Sequence, residues 1–388
     1  MMRIPYGRQS IDERDIAAVE AVLHSDWLTQ GPAIERFEDR VAQHCGARYA
    51  VAVSNGTAAL HIACMALQLG PGDRLWTSPN TFVASANCAL YCGAQVDFVD
   101  IDPDTLNLSI ERLREKLEVA DREGRLPKVV VPVHFAGQSC EMAALHELSE
   151  RYGFAVLEDA SHAIGGTYRD DPVGHCRYSD ATVFSFHPVK IVTSAEGGMI
   201  VTNREDIYQM LRRLRSHGIT RDSAQAQGEL DGGWCYQQLE LGFNYRMTDL
   251  QAALGASQMD RLDAFVARRK DLVERYRTAL AGLPLRLPKQ LPETDPAWHL
   301  QVVTLDEPAW RKPLYNALRA QGIEVNVHYK PVYLQPYYRA LGFEPGHCPE
   351  AEAYYSRALT LPLYAAMSDR DFDAVVDNLT KTLNEIAT

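Results

Sequence analysis

The sequence predicts an α/β protein: a large domain built on a mostly parallel sheet, followed by a smaller C-terminal α+β domain. Three observations predict it. Short apolar runs of strand type alternate with helical patterns of about 10 to 15 residues through the first half, as parallel βαβ units require. A polar, glycine-bearing stretch at 219–236 then interrupts the alternation. Beyond it lie one long helical pattern, four prolines (284, 288, 292 and 296) and a second, shorter alternation.

The elements follow in order. Ser10-Ile11-Asp12-Glu13 has the form of a capping box, and Ile16, Val19 and Val22 continue it at helical spacing. Tyr49 to Val53 reads as a buried strand and Thr57 to Leu69 as a helix. Leu75 to Thr77 is a short strand, followed by a helix from Phe82 to Tyr91. Further strands are expected at Val96 to Val99, Val129 to Val133, Phe154 to Leu157 and Met199 to Thr202. Helical spacing marks Ile110 to Leu117, Met142 to Tyr152, Arg204 to Ser216 and a long stretch from Thr248 to Leu280. In the last part, strands are expected at Leu300 to Leu305 and Ile323 to Val327, and helices at Trp310 to Ala320 and Asp369 to Glu385. The large domain, with an N-terminal arm, is expected over 1–255 and the small domain over 256–388.

Composition excludes several functions. The 388 residues carry a net charge of -12, which disfavours nucleic acid, since that contact needs a basic face. An anionic substrate would have to be held by individually placed cations or amides. The start, MMRIPYGRQSIDERD, has no apolar core of signal type, and no segment offers about 18 uncharged apolar residues in a row. A cytoplasmic location is therefore expected, with no membrane contact. Of eight cysteines only Cys88 and Cys92 are close in sequence, and no second pair completes a zinc site, so no metal is expected.

Three short stretches carry chemistry. Ser54-Asn55-Gly56-Thr57-Ala58-Ala59 follows a strand and opens a helix, a geometry that offers unpaired amides and a positive dipole end to a phosphate. Taken alone, a capped helix start that binds nothing explains it as well. Leu157-Glu158-Asp159 places carboxylates at the end of a buried strand, where α/β sheets collect their ligands. A helix cap with a solvated neighbour would give the same residues. The third stretch, FSFHPVKIVTSAEGG from Phe184, contains Lys190 in a chain with no lysine before Lys116. An ammonium between an apolar strand and a Glu-Gly-Gly turn is costly unless it is paired or chemically changed. A phosphate cradle, a carboxylate suited to a protonated pyridine nitrogen and an amine that can condense with an aldehyde together match pyridoxal 5'-phosphate.

SNGTAAL, TFVASAN, EDASHAIGG, FSFHPVK, EGGMIVTN and LGFNYRMTDLQAALG, in that order, resemble the DegT/DnrJ/EryC1/StrS family of pyridoxal-phosphate sugar aminotransferases. The resemblance spans almost the whole chain and implies fold type I, the aspartate aminotransferase-like architecture. It implies that Lys190 carries the cofactor aldehyde and that Asp159 pairs with the pyridine nitrogen. It gives phosphate contacts to the amides of Thr57 and Ala58, the Thr57 hydroxyl and Ser185. Phe82 covers one ring face, and His162 lies near the cofactor's 3-oxygen. Asn244 reaches the phosphate of a neighbouring subunit, which makes a homodimer with its site at the subunit interface. Tyr6, Arg8, Arg246 and Tyr329 face the nucleotide-sugar. IPYGRQSID, SDWLTQGP and HYKPVYLQPYY resemble more narrowly the members of the pseudaminic-acid pathway. That implies amination of carbon 4 of a UDP-linked 4-keto-6-deoxy-N-acetylhexosamine, with L-glutamate as donor.

Other readings remain. Sugar dehydratases of the same family carry histidine where Lys190 stands, so the lysine opposes that reading. Other aminotransferases of the family act on keto-sugars of bacillosamine or perosamine type. A non-catalytic protein that binds the cofactor for regulation would not turn over glutamate.

Overall fold

The computed structural model describes residues 3–387. Seven strands form the central sheet: β1 (Tyr49–Val53), β2 (Arg74–Thr77), β3 (Gln95–Phe98), β4 (Val129–Val131), β5 (Ala155–Asp159), β6 (Ala181–Ser185) and β7 (Gly198–Thr202). Their order across the sheet is β1-β7-β6-β5-β4-β2-β3. β3, β2, β4, β5 and β6 run parallel to one another, and β7 is antiparallel to both β6 and β1. Strands buried on both faces need continuous apolar runs, and the valines of β1 and β4 supply them.

The helices of this part are α1 (Glu13–Leu23), α2 (Pro32–Cys45), α3 (Gly56–Ala66), α4 (Ala84–Tyr91), α5 (Ile110–Arg122), α6 (Met142–Tyr152) and α7 (Glu205–Leu214). The capping box at the start of α1 is shifted from the expected one. Asp12, not Ser10, is the cap, and Asp15 closes the box from the third helical position. The polar excursion is present as a loop between two paired two-residue strands, Ile219–Thr220 and Gln237–Gln238.

The long helix expected from Thr248 to Leu280 is two helices, α8 (Asp249–Met259) and α9 (Leu262–Ala279). The break at Asp260–Arg261 has a tertiary cause. Arg261 forms ion pairs with Asp12 and with the buried Asp15, which also accepts from Ser257 and Gln258. A side chain pulled toward α1 is not visible in helical periodicity.

The remaining chain contains α10 (Pro308–Ala320), α11 (Pro336–Ala340), α12 (Pro349–Arg357) and α13 (Asp369–Ala387). They accompany a three-stranded antiparallel sheet of β8 (Leu285–Arg286), β9 (Gln301–Leu305) and β10 (Ala358–Leu361), with β9 in the middle. The strand expected at Ile323 to Val327 does not form. Val325 donates back to Ile323, which breaks any ladder, and only isolated bridges join Ile323 to Ile4 and Asn326 to Thr360. α8 packs on α1 and α2, so a division at 255/256 passes through its last turn. The N-terminal arm crosses to the other sheet, with Ile4 bonded to Gly322 and Glu324 and the Tyr6 carbonyl accepting from Leu363.

Candidate active site

The β1–α3 turn shapes one wall of the site. Asn55 caps α3, its side chain accepting from the Ala58 amide at 2.8 Å. The first amides of a helix have no intrahelical acceptor, so those of Gly56 and Thr57 are left for a ligand. The Ala58 amide, expected to serve a phosphate, is bonded to this cap while the residue still lines the cavity. Ser185, at the end of β6, lies over this helix start: a Cβ on Gly56 would come within 3.1 Å of the Ser185 Cβ. Gly198 explains the Glu-Gly-Gly turn. A Cβ there would stand 2.4 Å from the Asn55 carbonyl oxygen and 2.9 Å from the Gly56 nitrogen. Gly198→Ala is therefore expected to push the turn out of place and weaken pyridoxal-phosphate affinity at least tenfold, at a stability cost of about 1–3 kcal/mol. Cofactor titration and thermal melting of that variant measure both effects.

β5 sends its two last carboxylates to opposite faces, as strand alternation demands. Glu158 turns inward and is not the solvated neighbour considered above. It takes hydrogen bonds from Thr182 (2.9 Å), from Ser179 and from His134 Nε2 (2.7 Å). The Cys140 amide donates to His134 Nδ1, so that nitrogen carries a lone pair and the ring is neutral, although the carboxylate beside it favours the charged form. Asp159, 5% exposed, turns to the cavity and accepts from the Ser85 hydroxyl at 2.6 Å and the Ser161 amide at 3.1 Å.

Lys190 sits in a loop closed at its base on Phe186. The Phe186 carbonyl accepts from the Ser194 amide and the Thr193 hydroxyl, and the Lys190 amide is bonded to His187. Part of the residue's surface opens to the cavity, yet its amine is enclosed by protein. Desolvation lowers the amine to about 8 from 10.5, with Asp159 pulling in the opposite direction. Burial thus wins over the nearby carboxylate.

Three buried histidines surround this amine. His162, His299 and His328 are each held below the ordinary imidazole range, by burial first and then by neighbouring positive charge including Lys190; His328 falls to about 3. All three are therefore neutral at physiological pH. The His162 and His299 rings lie 4.5 Å apart, and His162 Nε2 meets the Tyr329 hydroxyl at 3.4 Å. His162 Nδ1 is buried without a hydrogen-bond partner.

The cavity between these groups measures about 1040 Å³. It is lined by Lys190, Asp159, Thr57, Ala58, Phe82, His162, Ser185, Tyr6 and Tyr329, so nine expected site residues converge there. Asn244 is exposed and outside it, and Arg246 lines a separate pocket with Arg212, Arg213 and Arg215. Between them Tyr245 faces the cavity, so 244 and 246 present to another side. Arg8 is exposed on the arm, close enough to Tyr364 to oppose the upward shift that burial imposes on that phenol, and does not reach the cavity. His187 and Lys330 line the cavity without having been singled out for the site. Ser85 and His299 were missed. Ser85 lies three residues after Phe82 inside TFVASAN, a spacing that places both near one helix start. His299 has no local signal, because only tertiary packing brings it to His162.

The residues fit pyridoxal phosphate. The amides of Gly56 and Thr57 with the Ser185 hydroxyl suit its phosphate, Asp159 suits a protonated ring nitrogen, and Lys190 suits its aldehyde. The unpartnered His162 Nδ1 is a polar atom waiting for a ligand's oxygen.

Comparisons with known proteins agree. The profile of the DegT/DnrJ/EryC1/StrS aminotransferase family matches residues 9–380. The spore coat polysaccharide biosynthesis protein SpsC of Bacillus subtilis is 40% identical over 380 residues, covering 96% of this chain and 95% of that protein. The PMP form of the sugar aminotransferase Spr1654 from Streptococcus pneumoniae superposes with a TM-score of 0.89 at 29% identity, covering 99% of this chain and 100% of that one. Helicobacter pylori PseC, an aminotransferase involved in the biosynthesis of pseudoaminic acid, gives 0.90 at 27% identity with the same coverage.

Proposed function

The chain belongs to the DegT/DnrJ/EryC1/StrS aminotransferase family, and on that premise we propose that it aminates carbon 4 of a UDP-linked 4-keto-6-deoxy-N-acetylhexosamine, with L-glutamate as donor, in pseudaminic acid biosynthesis. Membership makes it a pyridoxal-phosphate-dependent sugar aminotransferase of fold type I. The observation that carries the reading is the convergence of Lys190, Asp159 and the Asn55-capped start of α3 on one cavity. Its volume, at the upper end of ordinary ligand pockets, leaves room for a sugar beside a cofactor. The likeness to PseC, and the arm and loop stretches that place Tyr6 and Tyr329 in the wall, support the choice of sugar.

Bound pyridoxal phosphate supplies an electron sink for the carbon that loses a proton. The rest falls to the chain. Gly56, Thr57 and Ser185 anchor the phosphate end, and Phe82, 59% exposed on the rim, covers one ring face. Asp159, fixed by Ser85 and Ser161, holds a negative charge where the ring nitrogen needs its proton kept. Lys190 Nζ, with its affinity for protons lowered to about 8, accepts the proton released from the donor's α-carbon. In the amination half-reaction the same amine moves a proton in the reverse sense, onto the sugar carbon that gains the nitrogen. The net exchange turns glutamate into 2-oxoglutarate and the ketone into an amine.

The division into parts 1–255 and 256–388 belongs to this reading, as does a homodimer. Trp27, Leu28, Trp234, Tyr236 and Leu241 are large and exposed, and the exposed Asn244 is available to a second copy's phosphate site. Arg8 and Arg246 are assigned to the nucleotide-sugar. The location proposed is the cytoplasm; among the described residues no helix is long and apolar enough to cross a membrane.

A panel of nucleotide-linked 4-keto sugars, with glutamate and mass detection of products, tests the substrate. Amination of the UDP-linked N-acetylhexosamine is expected to exceed that of GDP- and dTDP-linked sugars at least tenfold. Preference for a bacillosamine- or perosamine-type sugar would replace the substrate and leave the chemistry standing. A dehydrated, unaminated product would replace the reaction class. Failure to convert labelled glutamate to 2-oxoglutarate would indicate the non-catalytic reading.

A further inference from the structure

One hydroxyl on α4 has three oxygens within reach. Ser85 Oγ lies 2.6 Å from Asp159 Oδ2, 2.7 Å from Thr81 Oγ1 and 3.4 Å from the Phe82 carbonyl oxygen. Ser85 is fully buried and Thr81 nearly so, which closes both to bulk water. They stand four residues apart across the start of α4, where the Phe82 carbonyl already accepts from the Ser85 amide at 3.3 Å. Of these two hydroxyl residues, Thr81 is the one that lines the cavity.

Counting protons gives this cluster a direction. A serine hydroxyl has one proton, and an ionised carboxylate can only accept. With Asp159 charged, as its assignment to the ring nitrogen requires, the Ser85 proton points to Asp159. The contact between Ser85 and Thr81 is then a hydrogen bond only with Thr81 as donor. The chain therefore runs from Thr81 to Ser85 to Asp159, and the Ser161 amide adds a second donor to the carboxylate at 3.1 Å. Hydrogen bonds in series polarise one another, so the first hydroxyl strengthens the second. Threonine suits the first position, since branching at Cβ restricts its rotamers.

We propose that Thr81 is a positioning residue for the transamination: its hydroxyl commits the Ser85 proton to Asp159, and the two hydroxyls together hold the carboxylate charged against a protonated ring nitrogen. The inference rests on the assignment of Asp159 to that nitrogen and is indifferent to the sugar. In an enclosed site an ion pair competes with the neutral pair in which the proton has crossed to the carboxylate. Hydrogen bonds to a carboxylate favour its charged form and so keep the proton on nitrogen. Valine at 81 has nearly the shape of threonine but no proton to give. Without that donor the Ser85 proton is shared with the Phe82 carbonyl 3.4 Å away, and Asp159 loses part of its hydrogen bond.

The test loads native protein and variants with pyridoxal phosphate isotopically labelled at the ring nitrogen. Nitrogen NMR reads the protonation of that atom, and stopped flow reads the glutamate half-reaction. The native signal should be that of a protonated ring nitrogen. Ser85→Ala should move it toward the unprotonated position and slow the half-reaction about tenfold, the size of one hydrogen bond to a charged group. Thr81→Val should move it the same way, with a loss of about threefold, as for a neutral hydrogen bond. Half-saturation by glutamate should stay within about twofold in both, since the loss falls on the chemical step. The double variant should match Ser85→Ala alone, because Thr81 acts only through Ser85. Thr81→Ser, which keeps the hydroxyl, should recover the native signal. A Thr81→Val protein with the native nitrogen signal, whatever its melting temperature, would overturn the proposal. So would losses that multiply in the double variant. A native ring nitrogen found unprotonated would instead remove the role given to Asp159, and the proposal with it.

Discussion

A Lys190→Ala protein is expected to turn over at least about 10³-fold more slowly than the native chain, the upper part of the range for losing a positioned acid–base group. It also loses the amine whose charge is coupled to Asp159 and which is assigned to the cofactor aldehyde, so the visible absorbance of lysine-bound cofactor disappears. Borohydride reduction should add the cofactor's mass at residue 190 of the native protein and nowhere in the variant. The Asn55–Gly56 cradle is untouched, so pyridoxamine phosphate should still bind, which separates this loss from misfolding. Stability carries a further signature. The amine's folded value, about 8, lies below the 10.5 of the unfolded chain. The unfolded state therefore binds the extra proton between these values, and stability rises with pH across that window. Below pH 8 the apoprotein bears the full cost of a buried ammonium, which alanine removes. The variant should melt above native apoprotein at pH 7, and the gap should shrink as pH climbs from 8 toward 10.5. Native turnover in Lys190→Ala would remove the assignment.

Asp159→Asn is the second large effect. Asparagine keeps the shape and can still accept the Ser161 amide, but the fixed negative charge is gone. Without it the ring nitrogen has no reason to stay protonated in a buried site, and kcat should fall about 10²–10³-fold, the size of losing one preorganised electrostatic partner. The same carboxylate holds the Lys190 amine up against desolvation. Its loss should move the pH at which apoprotein captures pyridoxal phosphate at half its maximal rate below the native value near 8. A variant with native kcat and an unmoved capture profile would show that Asp159 does not act on the cofactor. Cofactor content measured alongside distinguishes slower chemistry from weaker binding.

The strand-end Asp159, the Lys190 loop and the Asn55 turn were legible because each is local. A cap, a strand terminus and a scarce lysine are written in a few adjacent residues, and parallel βαβ order brings strand ends to one edge of the sheet. The identity of the phosphate donors was less legible. Ala58 and Thr57 are equivalent in a motif, and only the hydrogen bond from Ala58 to Asn55 tells them apart. The break between α8 and α9 depends on Asp15, more than two hundred residues away in the chain. The strand expected at Ile323 to Val327 had suitable residues but no partner in register.

By itself the sequence determined the α/β class and the cofactor and pointed to Lys190 and Asp159 as the proposed reactive pair, since alternation, capping and residue type act over a few positions. The tertiary structure alone decided how that pair behaves. It joined Ser85 to Asp159, enclosed the Lys190 amine enough to lower it to about 8, and set His299 against His162. The physical reason is that desolvation and side-chain contact depend on what surrounds an atom in space, and residues distant along the chain supply those surroundings.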